Sequence, residues 1–152
     1  MTSESFSIKW KKFFNVFLKN GVVFRAEFSE MPCREKIGRR ETLNLKYDLE
    51  KYFEGKVVDF LKHPVKLQLS DFSISVLEKV RKIPYGETLS YGEIAKILKT
   101  GPRAVGQALK RNPVPVIIPC HRIVGVKGIG GYSQGINLKK ILLELEGNQI
   151  LA

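Results

Sequence analysis

Two short apolar runs, residues 13–19 and 22–28, are separated only by the dipeptide Asn20-Gly21. Asn-Gly is a strongly preferred turn for a two-residue β-hairpin, because both turn positions need a positive φ angle. The runs are rich in Phe and Val, and apolar and charged residues alternate from Phe24 to Phe28, as expected for a half-buried strand. The sequence therefore predicts an antiparallel hairpin, with residues 5–10 as a further strand.

The rest of the first half predicts a loop, a helix and an extended connection. Residues 31–40 are charged and contain a proline and a glycine, which favours a loop. Residues 45–53 predict a helix that ends at Gly55. His63-Pro64 then favours an extended chain, because proline disfavours helical geometry at the residue before it.

The second half changes to helical periodicity. Apolar residues spaced three and four apart from Leu69 to Ile83, with Phe72 among them, predict a helix with one buried face that ends at Pro84. This change of pattern places a domain boundary after residue 66. Residues 1–66 are predicted to form an α/β domain with a small antiparallel sheet, and residues 67–152 a mainly α domain.

Two short helices are predicted next. Ser90 and Glu93 form a capping box at the start of the first, and Pro102 suits the first position of the second. Two short helices joined by a glycine-containing turn are typical of a helix-turn-helix. The second helix carries the small residues Ala104 and Gly106, where a helix that reads the major groove usually shows Asn, Gln or Arg. Small residues allow close approach to DNA or, alternatively, close helix packing.

The C-terminal third predicts an extended stretch, a tight loop and a last helix. Residues 114–119 are expected to be extended, and residues 125–135, which contain five glycines, to form the loop. Asn137 is predicted to cap the last helix, which Gly147 ends. The inward residues of that helix are expected to be Leu138, Ile141, Leu142 and Leu145.

The charge favours a polyanionic partner. The 152 residues carry 26 Lys and Arg against 15 Asp and Glu, a net charge of +11 that is spread over both halves. Nucleic acid is the first candidate, and a generally solvated basic surface is the alternative. No apolar run approaches the roughly 20 residues of a membrane span, and the N-terminus lacks a secretory pattern. We therefore expect a cytoplasmic protein, or a nuclear one in a eukaryote.

Cys120 lies in the segment Ile118-Pro119-Cys120-His121-Arg122. A thiol must ionise to act as a nucleophile, and a neighbouring His or Arg lowers its pKa. A buried structural cysteine is the alternative, but it needs neither the flanking prolines nor the His-Arg pair. In an extended chain adjacent side chains point to opposite faces, so pairing of Cys120 with His121 requires a sharp turn or a bridging water.

Glu146 and Arg103 are predicted at electrostatically unfavourable helix ends. Glu146 ends the last helix, where the helix dipole disfavours an anion, so we expect it to pair with His121. A solvated surface carboxylate is the alternative. Arg103 opens the second helix of the helix-turn-helix, where a cation is disfavoured, and it either reaches into nucleic acid or is solvated.

Residues 113–124, PVPVIIPCHRIV, closely resemble the active-site motif of the O6-alkylguanine-DNA alkyltransferases, also called methylated-DNA–protein-cysteine methyltransferases. The resemblance covers residues 70–150, whereas the first 66 residues match only in general pattern. It implies a ribonuclease-H-like α/β domain followed by a mainly α domain with a winged-helix-like helix-turn-helix. Further matches, in the right order, are Tyr91-Gly92, Arg103-Ala104-Val105-Gly106, Asn112-Pro113, Gly131-Tyr132-Ser133 and Leu142 to Gly147.

The resemblance implies catalytic roles for five residues. Cys120 accepts the alkyl group as a thiolate, and His121 takes its proton through a water. Glu146 orients His121, and Asn112 braces the active-site turn. Tyr91 lies near the flipped guanine and helps to protonate it as it leaves.

The resemblance also implies how DNA and the damaged base are bound. Arg103 enters the base stack and fills the gap left by the flipped base, from a helix in the minor groove. Ala104, Gly106 and Arg111 are the other DNA contacts of that helix. Tyr132 lines the pocket together with Tyr91, and the backbone at Ile123 and Ser133 binds the guanine edge.

The function implied is DNA repair by direct reversal, in which each molecule reacts once and stays alkylated. The partner is double-stranded DNA containing O6-alkylguanine, and the protein is expected to be a monomer without a cofactor. No metal is expected, because the first domain has only Cys33 and His63 of the residue types that hold zinc in some relatives. The alternatives are a non-catalytic DNA-binding protein, either alkyltransferase-like or a helix-turn-helix regulator, and a cysteine hydrolase.

Overall fold

The computed structural model describes residues 2–148. The chain divides into two compact units, Met1–Leu67 and Gln68–Ala152, which are described separately below. The first unit is a three-stranded antiparallel sheet with one helix, and the second is mainly helical. That residues 1–66 and 67–152 are independently folding domains stays a prediction.

The predicted hairpin is confirmed. Strands β1 (Ser3–Lys9), β2 (Phe13–Lys19) and β3 (Val22–Ser29) form an antiparallel sheet in the order β1-β2-β3. Asn20 and Gly21 turn between β2 and β3 with φ angles of 53° and 78°. This turn needs residues that tolerate the left-handed region, which Asn and Gly do.

A bulge changes the alternation predicted for β3. The pairing of β2 with β3 shifts between Phe17 and Leu18, which pairs with Val23. Phe24 is therefore the extra residue, and its side chain is 42% exposed while that of Val23 is fully buried. The prediction that Phe24 faces the core is wrong. An extra, unpaired residue shifts the alternation of inward and outward side chains by one position, so the pattern before the bulge does not continue after it.

The helix of the first unit, α1 (Arg40–Phe53), begins five residues before the predicted start. A residue far away in sequence caps it. The buried carboxylate of Glu4 accepts hydrogen bonds from the backbone N–H groups of Gly38 and Arg39 and from the hydroxyl of Thr42. A capping group on β1 leaves no local sequence signal, which explains the missed boundary.

In its described part, residues 68–148, the second unit contains four α-helices and one parallel strand pair. No helix within residues 2–148 is long and apolar enough to cross a membrane. The helices are α2 (Asp71–Arg81), α3 (Tyr91–Ile97), α4 (Pro102–Lys110) and α5 (Ile136–Leu145), and the paired strands are β4 (Leu89–Ser90) and β5 (Ile123–Val124).

Local signals set the helix starts of the helix-turn-helix. The hydroxyl of Ser90 accepts the N–H of Glu93 at 3.0 Å, and the Glu93 carboxylate accepts the N–H of Ser90 at 3.1 Å. The predicted capping box of α3 is therefore confirmed, as is Pro102 at the start of α4.

The buried face of α2 differs from the prediction at one position. Ser73 is buried and Phe72 is 40% exposed, so Phe72 does not belong to the buried face predicted for it.

Two predictions for the C-terminal third are wrong. Residues 114–119 are not extended but fold back on themselves, and the Ile118 N–H donates to the Val114 carbonyl at 3.0 Å. Val116 has a φ of 72°, a strained value for a β-branched residue. Asn137 does not cap α5, because the helix begins at Ile136, two residues before the predicted start, and Gly135 occupies the cap position.

Candidate active site

Cys120 opens a single 3-10 turn, Cys120–Arg122, that follows Pro119 directly. This is the sharp turn that the sequence left as one of two alternatives. The turn buries all three of its side chains, and Cys120 is 5% exposed. It places the sulfur at a cavity wall, while His121 and Arg122 are directed into the core.

Asn112 braces the segment that leads to this turn. It lies just after α4 and is buried. Its amide nitrogen donates to the Ile118 carbonyl at 3.0 Å and to the Cys120 sulfur at 3.2 Å. Its amide oxygen accepts the Val114 N–H at 3.0 Å. One side chain thus joins both ends of the folded-back segment and contacts the thiol.

His121 and Glu146 form a buried pair. The Nε2 atom of His121 lies 2.7 Å from a carboxylate oxygen of Glu146, and neither side chain has exposed surface. Glu146 is the C-cap residue of α5. The structure therefore places together the two residues for which the sequence predicted a pairing.

Arg122 completes the environment of the carboxylate. Its guanidinium donates two hydrogen bonds to Glu146, at 2.8 and 3.0 Å, and a third to the Ile83 carbonyl at 2.6 Å. The Gly86 N–H donates to Glu146 at 3.2 Å. Sequence reasoning considered Arg122 only as a cation near the thiol. The available signal was that a buried carboxylate at a helix C-terminus needs a strong cationic partner.

These contacts determine the protonation of the pair. Burial alone raises the pKa of Glu146, but the hydrogen bond from His121 and the hydrogen bonds and charge of Arg122 outweigh it and lower the pKa to about 2. Burial lowers the pKa of His121, and Glu146 only partly opposes this. His121 is therefore neutral at pH 7. Because an ionised carboxylate only accepts, Nε2 carries the hydrogen and Nδ1 carries the lone pair that can take a proton.

Cys120 is a protonated thiol at neutral pH. Burial raises its pKa above the usual value, against the opposing effects of the Asn112 hydrogen bond and the Lys139 charge. The site therefore combines a neutral thiol with a neutral imidazole next to it in sequence. Such a pair can produce a nucleophilic thiolate when the proton moves from sulfur to a base.

The sulfur opens into a cavity of about 500 Å³, a volume suited to a small organic group such as a nucleobase. The second unit supplies all of its walls: α3, α4, the turn at Cys120 and the glycine-rich loop. The lining residues are Tyr91, Pro102, Gly106, Leu109, Lys110, Cys120, Gly131, Tyr132 and Ser133.

The glycine-rich loop, residues 125–135, forms one wall and is called the pocket loop below. The Gly131 N–H donates to the Tyr91 hydroxyl at 3.3 Å. Gly130 has a φ of 78°, and a Cβ atom there would lie 2.7 Å from that hydroxyl. Glycine thus allows the pocket loop to pack directly against Tyr91. The Tyr132 hydroxyl is buried, and within residues 2–148 no hydrogen-bond partner faces it.

The structure places four predicted DNA or substrate contacts outside the cavity lining. Arg103 is exposed in the first turn of α4, and Ala104 beside it is half-buried. Arg111 is exposed at the end of α4, with its guanidinium 3.5 Å from the Gln107 carbonyl. Ile123 is buried in β5. Of the small residues of α4 singled out by sequence, only Gly106 lines the cavity.

Two cationic residues of the site were missed by sequence reasoning. Lys110 lines the cavity from the last turn of α4. Lys139 is fully buried in α5, three residues before the inward Leu142. A spacing of three residues puts Lys139 and Leu142 on the same face of α5, and this was the available sequence signal for the burial of Lys139. Within residues 2–148, no group of three or more His, Cys, Asp or Glu side chains is arranged to hold a metal ion.

Comparison with known proteins identifies similar chains. Residues 71–148 match the family model described as 6-O-methylguanine DNA methyltransferase, DNA binding domain. The chain is 47% identical over 149 residues to the methylated-DNA–protein-cysteine methyltransferase of Archaeoglobus fulgidus, with 93% of this chain and 98% of the relative covered. The O6-methylguanine methyltransferase of Mycobacterium tuberculosis aligns with a TM-score of 0.81 at 30% identity, covering 95% of this chain and 93% of that one. Mycobacterium tuberculosis OGT in complex with DNA aligns with a TM-score of 0.79 at 33% identity, covering 92% and 90%.

Proposed function

The chain belongs to the O6-methylguanine-DNA methyltransferase family, and on this premise we propose that Cys120 is the residue that accepts the alkyl group. The activity is that of a methylated-DNA–protein-cysteine methyltransferase, which repairs O6-alkylguanine in DNA. One observation carries the assignment of Cys120. Its sulfur lies at the wall of the cavity, hydrogen-bonded to Asn112, with the buried His121–Glu146 pair adjacent.

The reaction is a displacement at the alkyl carbon. Cys120 first loses its proton, and the thiolate forms a new carbon–sulfur bond as the bond between the carbon and O6 of guanine breaks. The electron pair of the broken bond stays with the base, which takes up a proton and leaves as guanine. The product thioether is a poor leaving group, and no other described residue lining the cavity has a thiol. Each molecule therefore reacts once.

His121 is the base for this step. It is neutral at pH 7 because burial lowers its pKa, and Glu146 holds its Nε2–H at 2.7 Å. Nδ1 is then the atom that takes the thiol proton, through a water as in the family. Arg122 keeps Glu146 ionised, so that the carboxylate continues to orient the ring.

The cavity holds the damaged base after it leaves the duplex. An alkylated base inside a helix is out of reach of a buried sulfur, so it must be flipped out at a cost of a few kcal/mol. Tyr91, Tyr132 and Ser133 line the space that it would enter. The phenol of Tyr91 keeps its proton because burial raises its pKa, and this proton is available to the leaving guanine.

Helix α4 is the surface that contacts DNA, with its small residues toward the minor groove. Arg103 is exposed at its start, which supports a role in filling the gap left by the base. The net charge of +11 adds a general attraction to phosphates. We further propose that the protein acts as a monomer in the compartment that contains DNA.

The decisive test is methyl transfer from duplex DNA containing O6-methylguanine. The expected result is one added methyl group on the peptide that contains Cys120, with unmodified guanine left in the DNA. Cys120→Ala should abolish transfer and retain DNA binding, whereas Cys33→Ala, the matched control at the other cysteine, should retain both. An unmodified Cys120 with methylated guanine still present would refute the assignment.

The same assay separates repair from DNA binding without chemistry. A helix-turn-helix regulator would show unchanged mass after exposure to DNA, together with a fixed preference for one DNA sequence. Arg103→Ala tests the role in base flipping. It should slow transfer from duplex DNA more than transfer from a free alkylated guanine base. Equal losses on the two substrates would contradict this role.

A further inference from the structure

Lys139 is the least expected residue of the second unit. It lies in α5 and has no exposed surface, whereas its neighbour Lys140 is exposed. A buried ammonium is costly unless hydrogen bonds and opposite charge compensate it. Its position beside the acceptor site therefore calls for a reason beyond the packing of the helix.

The ammonium of Lys139 joins three separate segments. It donates to the Ile123 carbonyl of β5 at 2.5 Å and to the Gly131 carbonyl of the pocket loop at 2.9 Å. It also lies 5.8 Å from the centre of the Tyr91 ring of α3. Gly131 in turn donates its N–H to the Tyr91 hydroxyl. The buried ammonium of Lys139 thus links the pocket loop to β5 and to Tyr91, against which the loop packs.

The same charge acts on Cys120. An ammonium favours the ionised form of a nearby thiol, and it is one of the influences that oppose the burial of Cys120. Burial lowers the pKa of Lys139 to about 8, with Cys120 opposing the shift, so the side chain is charged at pH 7. Other titratable groups near it are Tyr91 and His121. Lys139 also disfavours protonation of His121.

Given Cys120 as the acceptor, we propose that Lys139 is a positioning residue for alkyl transfer: its ammonium fixes the pocket loop to β5 and places a positive charge behind the wall of the cavity that Cys120 lines. Lys139 keeps its proton throughout and makes no bond to the substrate. Its contribution is a fixed wall for the base and a positive charge near the sulfur.

The test compares Lys139→Met with Lys140→Met, which removes the same charge from the adjacent exposed position. Two rates are measured from pH 6 to 10: methyl transfer from duplex DNA, and modification of Cys120 by iodoacetamide, located by peptide mass spectrometry. At pH 7, where the Lys139 ammonium is charged, Lys139→Met should slow Cys120 modification about tenfold, because less of the thiol is ionised. Above about pH 8 Lys139 loses its own proton, so the rates of the two proteins should converge. Lys140→Met should match the unaltered protein in both rates.

Lys139→Arg separates charge from shape. At pH 7 it should keep the rate of Cys120 modification near that of the unaltered protein, even if its larger head group slows transfer from DNA. A folded Lys139→Met protein with an unchanged rate of Cys120 modification at pH 7 would overturn the electrostatic role. Because iodoacetamide needs no DNA, this result is independent of whether Cys120 is the alkyl acceptor, which the methylation assay decides by itself.

Hydrogen exchange in the unaltered protein tests the role of Lys139 in holding the pocket loop, even if the neutral variants do not fold. Loss of the Lys139 proton near pH 8 should speed exchange of the Gly131 amide beyond the intrinsic increase caused by base. The exposed amide of Gly128, in the same loop, should follow only that intrinsic increase. If both amides respond alike to pH, Lys139 does not hold the loop.

Discussion

Replacing Glu146 with Gln tests the buried charge network behind the acceptor cysteine. Gln keeps the size and shape of the side chain and loses only the negative charge. In the native protein that charge accepts hydrogen bonds from His121, Arg122 and the Gly86 backbone. The variant leaves the buried guanidinium of Arg122 without a counter-ion, so the main effect is expected on stability.

The pKa of Glu146 sets the magnitude. It falls from an ordinary value of 4.5 to about 2 in the folded protein. Because one pKa unit corresponds to about 1.4 kcal/mol, the ionised carboxylate contributes about 3 kcal/mol to the free energy of unfolding at pH 7. Removing one partner of a buried ion pair costs about 3–5 kcal/mol in other proteins, which agrees.

The sign of the pH dependence follows from the lowered pKa. The contribution is fully present above the unfolded pKa and is lost as pH falls through the folded one. The unaltered protein should therefore lose about 3 kcal/mol between about pH 5 and pH 2 through this group. The variant lacks this loss, so the difference between the two proteins should shrink as the pH approaches 2.

Urea unfolding, followed by circular dichroism from pH 7 down to pH 2, measures both quantities. Glu144→Gln is the matched control, because Glu144 lies exposed on the same helix. It should change the free energy of unfolding by less than about 0.5 kcal/mol. A loss in Glu146→Gln below about 1 kcal/mol at pH 7, or a difference that does not shrink at low pH, would refute the reasoning.

Three further substitutions test local features. Ser90→Ala removes the hydroxyl cap of α3 and should lower the free energy of unfolding by about 1 kcal/mol; an unchanged urea midpoint would contradict the cap. Asn112→Ala leaves the buried hydrogen-bond partners of Asn112 unpaired. It should lower the free energy of unfolding by about 1–3 kcal/mol and slow the methylation of Cys120. Methylation at the full rate would show that the hydrogen bonds of Asn112 are dispensable for the reaction. Gly130→Ala puts a methyl group 2.7 Å from the Tyr91 hydroxyl, so it should lower Tm and slow transfer. The control Gly128→Ala meets nothing within 4 Å, and equal effects of the two would argue against the close packing.

Several predictions that depend on neighbouring residues agreed with the structure, although the cap predicted at Asn137 did not. The Asn20-Gly21 turn, the capping box of α3 and the start of α4 each depend on groups a few residues apart. Such groups meet whenever the local backbone forms, so their signal is present in the sequence. The cap of α1 is the contrasting case, because Glu4 lies more than 30 residues from the N–H groups that it binds.

The features of the candidate acceptor site also divide into those that local sequence indicates and those that depend on distant residues. The sequence by itself indicated Cys120, His121 and Glu146 as reactive groups, because a thiol beside a His-Arg pair and an anion at a helix C-terminus are unusual choices. Only the tertiary structure decided how they are used. It directed Arg122 to Glu146 instead of the thiol and folded residues 114–119 back under strain.

Lys139 shows most clearly what a sequence pattern leaves undecided. A lysine within an apolar helix face reads as a break in the pattern, since nothing local indicates a partner for its charge. Its two carbonyl partners belong to β5 and the pocket loop, 16 and 8 residues away. The sequence alone indicated Cys120 as the candidate nucleophile and predicted the helices of the helix-turn-helix. The tertiary structure decided the protonation of the site, because burial and opposite charge depend on which distant segments fold together.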